Sequence, residues 1–120
     1  MALVAGSVLI VDDHPSFRTS ARTLLEAEGF RVVGEAADGA EALAKARELR
    51  PDVVLLDVQL PDVPGFEVAS RLLANGASPA VVLVSSRDAA DYGELIAACG
   101  ACGFVPKAEL SGARIRALLA

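Results

Sequence analysis

The sequence has no excess of positive charge, no long apolar run, little cysteine and no glycine-rich phosphate loop. Eleven Lys and Arg stand against sixteen Asp and Glu, giving a net charge of −5 and a pI near 4.7. Nucleic-acid binding draws its affinity from basic residues that neutralise phosphates, so this balance argues against direct contact with DNA or RNA. No apolar stretch approaches the ~18 residues that a spanning helix needs. The opening Met1-Ala2-Leu3-Val4-Ala5-Gly6 is short and lacks the basic end of a signal peptide. A cytoplasmic location is therefore expected, without membrane contact. Two cysteines cannot form a disulfide framework. The missing glycine-rich signatures exclude a P-loop or dinucleotide enzyme, and there is no repeat, linker or low-complexity segment.

What remains is a dense globular composition, 53% hydrophobic and 22% charged over 120 residues. A chain of this length buries roughly 60–70% of its unfolded surface in one domain, expected over 1–120 with its core in 7–119. Apolar runs alternate with amphipathic segments five times. Strands are expected at 7–11, 30–34, 53–56, 80–84 and 102–105, and helices at 15–28, 40–49, 66–73, 89–98 and 111–119. Pro15 suits a first helical position, with an upstream Asp to satisfy free amides. Gly29 and Gly76 read as helix stops, Asp38-Gly39 as a turn, and Asp88 as a helix cap. This alternation indicates an α/β, doubly wound parallel sheet of five strands, a (βα)5 sandwich.

Two of the apolar runs end in acid. Ser7-Val8-Leu9-Ile10-Val11 runs into Asp12-Asp13, and Asp52-Val53-Val54-Leu55-Leu56 into Asp57. In a parallel sheet, ligands gather at the carboxyl ends of the strands, so three carboxylates would share one pocket. Two unit charges about 4 Å apart repel by roughly 4 kcal/mol at an effective dielectric near 20. A cation must therefore sit among them, and Lys107, after Gly103-Phe104-Val105, is the candidate side chain. Aspartate can hold a phosphoryl group covalently. Phosphoryl transfer asks mainly for positioning and charge neutralisation, which Ser85 and Lys107 can supply. Mg²⁺ takes oxygen ligands, including one or two carboxylates. Asp13 and Asp57 suit it, with a main-chain carbonyl nearby, that of Gln59.

These residues together resemble the receiver domain of two-component response regulators over nearly the whole chain. The resemblance rests on Leu9-Ile10-Val11-Asp12-Asp13-His14-Pro15, Gly34-Glu35-Ala36-Ala37-Asp38-Gly39 and Asp52-Val53-Val54-Leu55-Leu56-Asp57, with Pro61 and Gly65 following. Val82-Leu83-Val84-Ser85-Ser86 and Gly103-Phe104-Val105-Pro106-Lys107 complete it. It implies a flavodoxin-like, chemotaxis-receiver-like sheet with strand order 2-1-3-4-5. Asp57 would be phosphorylated, Asp12 and Asp13 would organise Mg²⁺, and Lys107 would bind a phosphoryl oxygen. Ser85 and Phe104 would form the switch pair, and Gln59 and Arg87 would tune the lifetime of the phosphate. The implied donor is a histidine kinase or phosphotransfer protein. The implied output surface is 88–119, meeting a protein partner, an effector domain of a longer chain or a second copy in a homodimer. Asp-Asp-His-Pro is common where receivers are joined to a helix-turn-helix effector, which implies transcription regulation. In one departure, Pro106 precedes Lys107, whereas many receivers place proline after it.

Blander readings exist for each group. Asp13 could merely cap the first helix, Asp57 could be a strand-end turn residue, Lys107 a solvated charge and Phe104 plain core. His14 reads as a solvent-facing cap neighbour, not a phosphohistidine. Cys99-Gly100-Ala101-Cys102 is a C-x-x-C, but at a helix C-terminal end, where the dipole disfavours a thiolate. Two rival functions remain. A phosphatase of the haloacid-dehalogenase type needs an Asp-x-Asp nucleophile, which neither Asp12-Asp13-His14 nor Asp57-Val58-Gln59 offers. A phosphate-independent receiver-like interaction module would be signalled by loss of Asp57 or Lys107, and both are present. The balance favours a signalling switch that catalyses only its own phosphotransfer and dephosphorylation.

Overall fold

The structure is a computed structural model describing residues 6–74 and 79–119. Five strands, β1 (Ser7–Val11), β2 (Arg31–Ala36), β3 (Val53–Asp57), β4 (Ala80–Ser85) and β5 (Gly103–Pro106), form one sheet in the order β2-β1-β3-β4-β5. All four pairings are parallel, as expected. The helices between them are α1 (Pro15–Ala27), α2 (Gly39–Leu49), α3 (Gly65–Leu73), α4 (Leu95–Ala98) and α5 (Gly112–Leu119).

Strand side chains alternate between faces, and the central strands are apolar on both. Leu9, Val11, Val54, Leu56, Val81 and Leu83 pack on one side with Ala42 of α2 and Val68, Ala69 and Leu72 of α3. Val8, Ile10, Val53, Leu55, Val82 and Val84 pack on the other with Ala21 and Leu25 of α1 and Ile115 of α5. Helices on both faces follow, because neither face can be left to water.

The amino end of the sheet is clasped by two side chains. Asp52 Oδ2 accepts from both the backbone N–H (2.9 Å) and the hydroxyl (3.1 Å) of Ser7, whose Oγ accepts the Asp52 N–H at 2.9 Å. At the other end, Asp38 caps α2 by accepting the Glu41 N–H at 2.8 Å, and Glu41 reaches back to the Ala37 N–H at 2.7 Å. A reciprocal pair of this kind satisfies amides that the helix itself leaves open.

Several boundaries differ from the sequence expectation. β2 runs to Ala36, and β5 is displaced by one residue. No side chain caps α1, because the carboxylate of Asp12 accepts instead from the N–H of His14, the residue before the helix. The helix expected over 89–98 is broken into a 3-10 turn, Ala89–Asp91, and the single turn of α4. Gly93 causes the break, with φ +58 in the left-handed region, where a helix cannot continue. Gly76, the expected stop of α3, lies outside the described residues.

Candidate functional site

The carboxyl ends of β1, β3 and β5 bring Asp12, Asp57 and Lys107 together. Asp57 is the last residue of β3, paired with Val84 of β4. Asp12 follows β1 directly and is wholly buried. Lys107 opens a 3-10 turn, Lys107–Glu109, just past β5. All peptide bonds among the described residues are trans.

Lys107 Nζ lies 2.6 Å from Asp12 Oδ2 and 3.3 Å from Asp57 Oδ2. It also stands 4.5 Å from the centre of the Phe17 ring, as a cation–π contact does. Asp57 Oδ1 accepts the Gln59 N–H at 3.1 Å. Burial pushes the Asp57 carboxyl up to about 6, the charge of Asp12 adds to the rise, and the Gln59 amide and Lys107 oppose it. Burial pulls on Lys107 in the discharging direction. The close approach of the Asp12 carboxylate and the charges of Asp57 and Asp12 outweigh it and hold the ammonium above its usual range. The lysine is therefore charged.

Asp12 is held on three sides. Its Oδ1 accepts the His14 N–H at 2.8 Å, and its carbonyl accepts from Arg18 Nη1 at 2.6 Å. Among the described residues its buried Oδ2 accepts no properly directed hydrogen bond, and the Lys107 charge is what compensates it. Asp13 is exposed, with its Oδ1 3.1 Å from His14 Nδ1. One ligand atom each from Asp12, Asp13, His14 and Asp57 lies within 4.8 Å of the others. Three carboxylates against one lysine, with a buried oxygen short of hydrogen bonds, suit a hard divalent cation. Mg²⁺ fits this oxygen set better than softer metals.

Gly65 lets α3 approach the end of β3. A Cβ there would stand 2.2 Å from the Asp57 carbonyl oxygen, so only glycine fits. Ser85, at the end of β4, is 1% exposed. Its Oγ is 2.6 Å from Tyr92 Oη and accepts the Arg87 N–H at 3.1 Å. Phe104 packs on the Tyr92 ring, with centroids 5.8 Å apart. Gln59 and Arg87, two residues beyond Asp57 and Ser85, are exposed.

The expected Asp12, Asp13, Asp57 and Lys107 thus converge, while Ser85 and Phe104 meet through Tyr92. Sequence reasoning missed Tyr92, and also Phe17 and Arg18, which it treated as helix residues. His14 is exposed as expected, yet it touches both neighbouring aspartates. Cys99 is buried with its Sγ on the Ile96 carbonyl, Cys102 is exposed, and both are free thiols.

A model of the response regulator receiver domain matches residues 8–119. The response regulator GacA of Pseudomonas viridiflava is 42% identical over 101 residues, which cover 83% of this chain and 47% of that protein. The chain spans about half the length of the curated relatives it matches. The crystal structure of a LuxR-family two-component response regulator from an Aurantimonas species is 32% identical. It covers 95% of this chain and 85% of its own, with a TM-score of 0.83. The chemotaxis response regulator CheY4 of Vibrio cholerae is 30% identical over 94% of both chains, with a TM-score of 0.80.

Proposed function

Because the chain belongs to the response regulator receiver domain family, we propose that Asp57 accepts a phosphoryl group and that the domain works as a phosphorylation-driven switch. The observation that carries this reading is the placement of Lys107 Nζ between Asp57 Oδ2 and Asp12 Oδ2. That arrangement keeps a buried carboxylate beside the cation that phosphoryl oxygens require.

A histidine kinase or phosphotransfer protein is the donor. A carboxylate oxygen of Asp57 attacks phosphorus, the O–P bond forms, and the P–N bond to the donor imidazole breaks. The imidazole leaves with the electron pair and takes up a proton. Near neutral pH the acceptor, with its carboxyl at about 6, is largely ionised and ready to attack. Asp12, Asp13 and Asp57, with the Gln59 carbonyl, would hold Mg²⁺. When bound, the ion neutralises charge on the transferring group. Lys107 grips one phosphoryl oxygen and the Ser85 hydroxyl another. Water later cleaves the acyl phosphate, with Gln59 and Arg87 setting its access. The domain is a switch and turns over no external substrate.

The output is a change in the 88–119 face, which carries the exposed Leu95 and the Phe104 ring. Couplings of this type are about 1–3 kcal/mol. Its partner is an effector domain or a separate protein. Several relatives are named as transcription regulators, and control of transcription is the output this reading favours.

The test is the intact mass after incubation with Mg²⁺ and acetyl phosphate, for wild type and Asp57→Ala. A gain of one base-labile phosphoryl group, absent from the variant, is expected. No gain, together with no binding of beryllofluoride, sinks the reading in favour of a phosphate-independent module.

A further inference from the structure

The hydroxyl that Ser85 offers to a phosphoryl group is itself held by a residue that the switch pair does not include. We propose that Tyr92 is a positioning residue for phosphoryl binding. Its phenol donates to Ser85 Oγ and leaves the serine proton as the one free to bond a phosphoryl oxygen on Asp57. This rests on the reading that Asp57 is phosphorylated.

A serine hydroxyl has two lone pairs and one proton. Ser85 Oγ is buried, and one lone pair accepts the Arg87 N–H, which can only donate. Tyr92 Oη lies 2.6 Å away. A phenol is more acidic than an aliphatic alcohol and its oxygen is the poorer acceptor, so the tyrosine is the donor. Both lone pairs of Ser85 Oγ are then filled. Its own proton has no acceptor among the described residues, although Ser85 directly follows Val84, the strand partner of Asp57. A hydroxyl so arranged is a donor with a single use.

The phenol is fixed in turn. Its ring is edge-on to Phe66, with centroids 5.5 Å apart, and tilted against Phe104 at 5.8 Å. Phe104 has no hydroxyl to exchange with Ser85, so the path between the two runs through Tyr92. Tyr92 also lines an apolar groove of about 470 Å³ with Val58, Leu60, Val63, Phe66 and Leu95. One side chain therefore touches the Ser85 hydroxyl, the Phe104 ring and the groove.

The experiment compares wild type, Tyr92→Phe, Ser85→Ala and the double variant for beryllofluoride affinity with Mg²⁺ and for the rate of phosphorylation by acetyl phosphate. Tyr92→Phe keeps the ring and loses only the hydroxyl, and urea midpoints check that each variant is folded. The expected result is roughly three- to tenfold weaker binding and slower phosphorylation in Tyr92→Phe. Adding Tyr92→Phe to Ser85→Ala should have no further effect. Behaviour like wild type, tighter binding, or an undiminished effect in the Ser85→Ala background would each overturn the inference. If wild type itself binds no beryllofluoride, the reading of Asp57 falls, and this inference with it.

Discussion

Lys107 sits closer to Asp12 than to Asp57, with Nζ at 2.6 Å from one carboxylate and 3.3 Å from the other. The ammonium is thus anchored chiefly to the wholly buried Asp12. Its hold on Asp57 is the longer contact, and so the weaker of the two.

The buried charge of Asp57 costs stability in metal-free buffer. Its carboxyl is raised to about 6 from an ordinary 3.8, chiefly by burial. Folding therefore favours the protonated form, and stability falls as pH climbs from about 4 through about 6. Asp57→Asn removes the charge and should stabilise the fold by about 1–3 kcal/mol at pH 7, with little effect at pH 4. Urea unfolding in EDTA at the two pH values checks both the size and the sign.

Mg²⁺ should reverse part of that cost. An ion that binds only the folded state at ten times its dissociation constant adds about 1.4 kcal/mol. Thermal melts of wild type should shift upward with Mg²⁺, and those of Asp13→Ala should shift much less. Equal shifts in both would place the ion elsewhere.

Glu35 makes the opposite pH prediction. Arg22 and Arg18 hold its carboxyl below the usual range, the Arg22 hydrogen bond first, working against the cost of burial. A depressed folded value gives stability that is present above the unfolded value near 4 and is lost as pH falls through the folded one. The site is partly exposed, so Glu35→Gln should cost no more than about 1 kcal/mol at pH 7 and nothing near pH 2. Arg18 also binds the Asp12 carbonyl, so the variant should weaken Mg²⁺ binding slightly, which titration calorimetry can read.

Gly65→Ala should be far more damaging. The added methyl would meet the Asp57 carbonyl oxygen at 2.2 Å, and the three nearest atoms all belong to the Asp57–Val58 main chain, which leaves no flexible side chain to yield. A loss of about 3 kcal/mol or more is expected, with slower phosphorylation of whatever remains folded. A urea midpoint within error of wild type would show that α3 moves freely against β3.

The central strands and the acidic pocket were legible because each is written locally. Runs such as Val53-Val54-Leu55-Leu56 admit a buried strand, and the acid that ends each run falls at the carboxyl edge of a parallel sheet. The break at Gly93 was not legible, since one glycine in a helically spaced segment is often tolerated at a modest cost. Tyr92 and Phe17 were illegible for another reason. Their contacts with Ser85 and Lys107 depend on how a turn and a helix lie across the sheet edge, and no periodicity records that.

The clasp of Ser7 on Asp52 has a consequence for how such a switch can move. A hinge needs one leaf that stays still. Slipping a strand by one residue exchanges its two faces, and the clasp pins β1 to the start of β3 at the rim opposite the pocket. The strands therefore stay in register at that rim, and any movement is left to the carboxyl edge and the elements that lead from it. The frame is fixed at the end of the sheet that carries no chemistry.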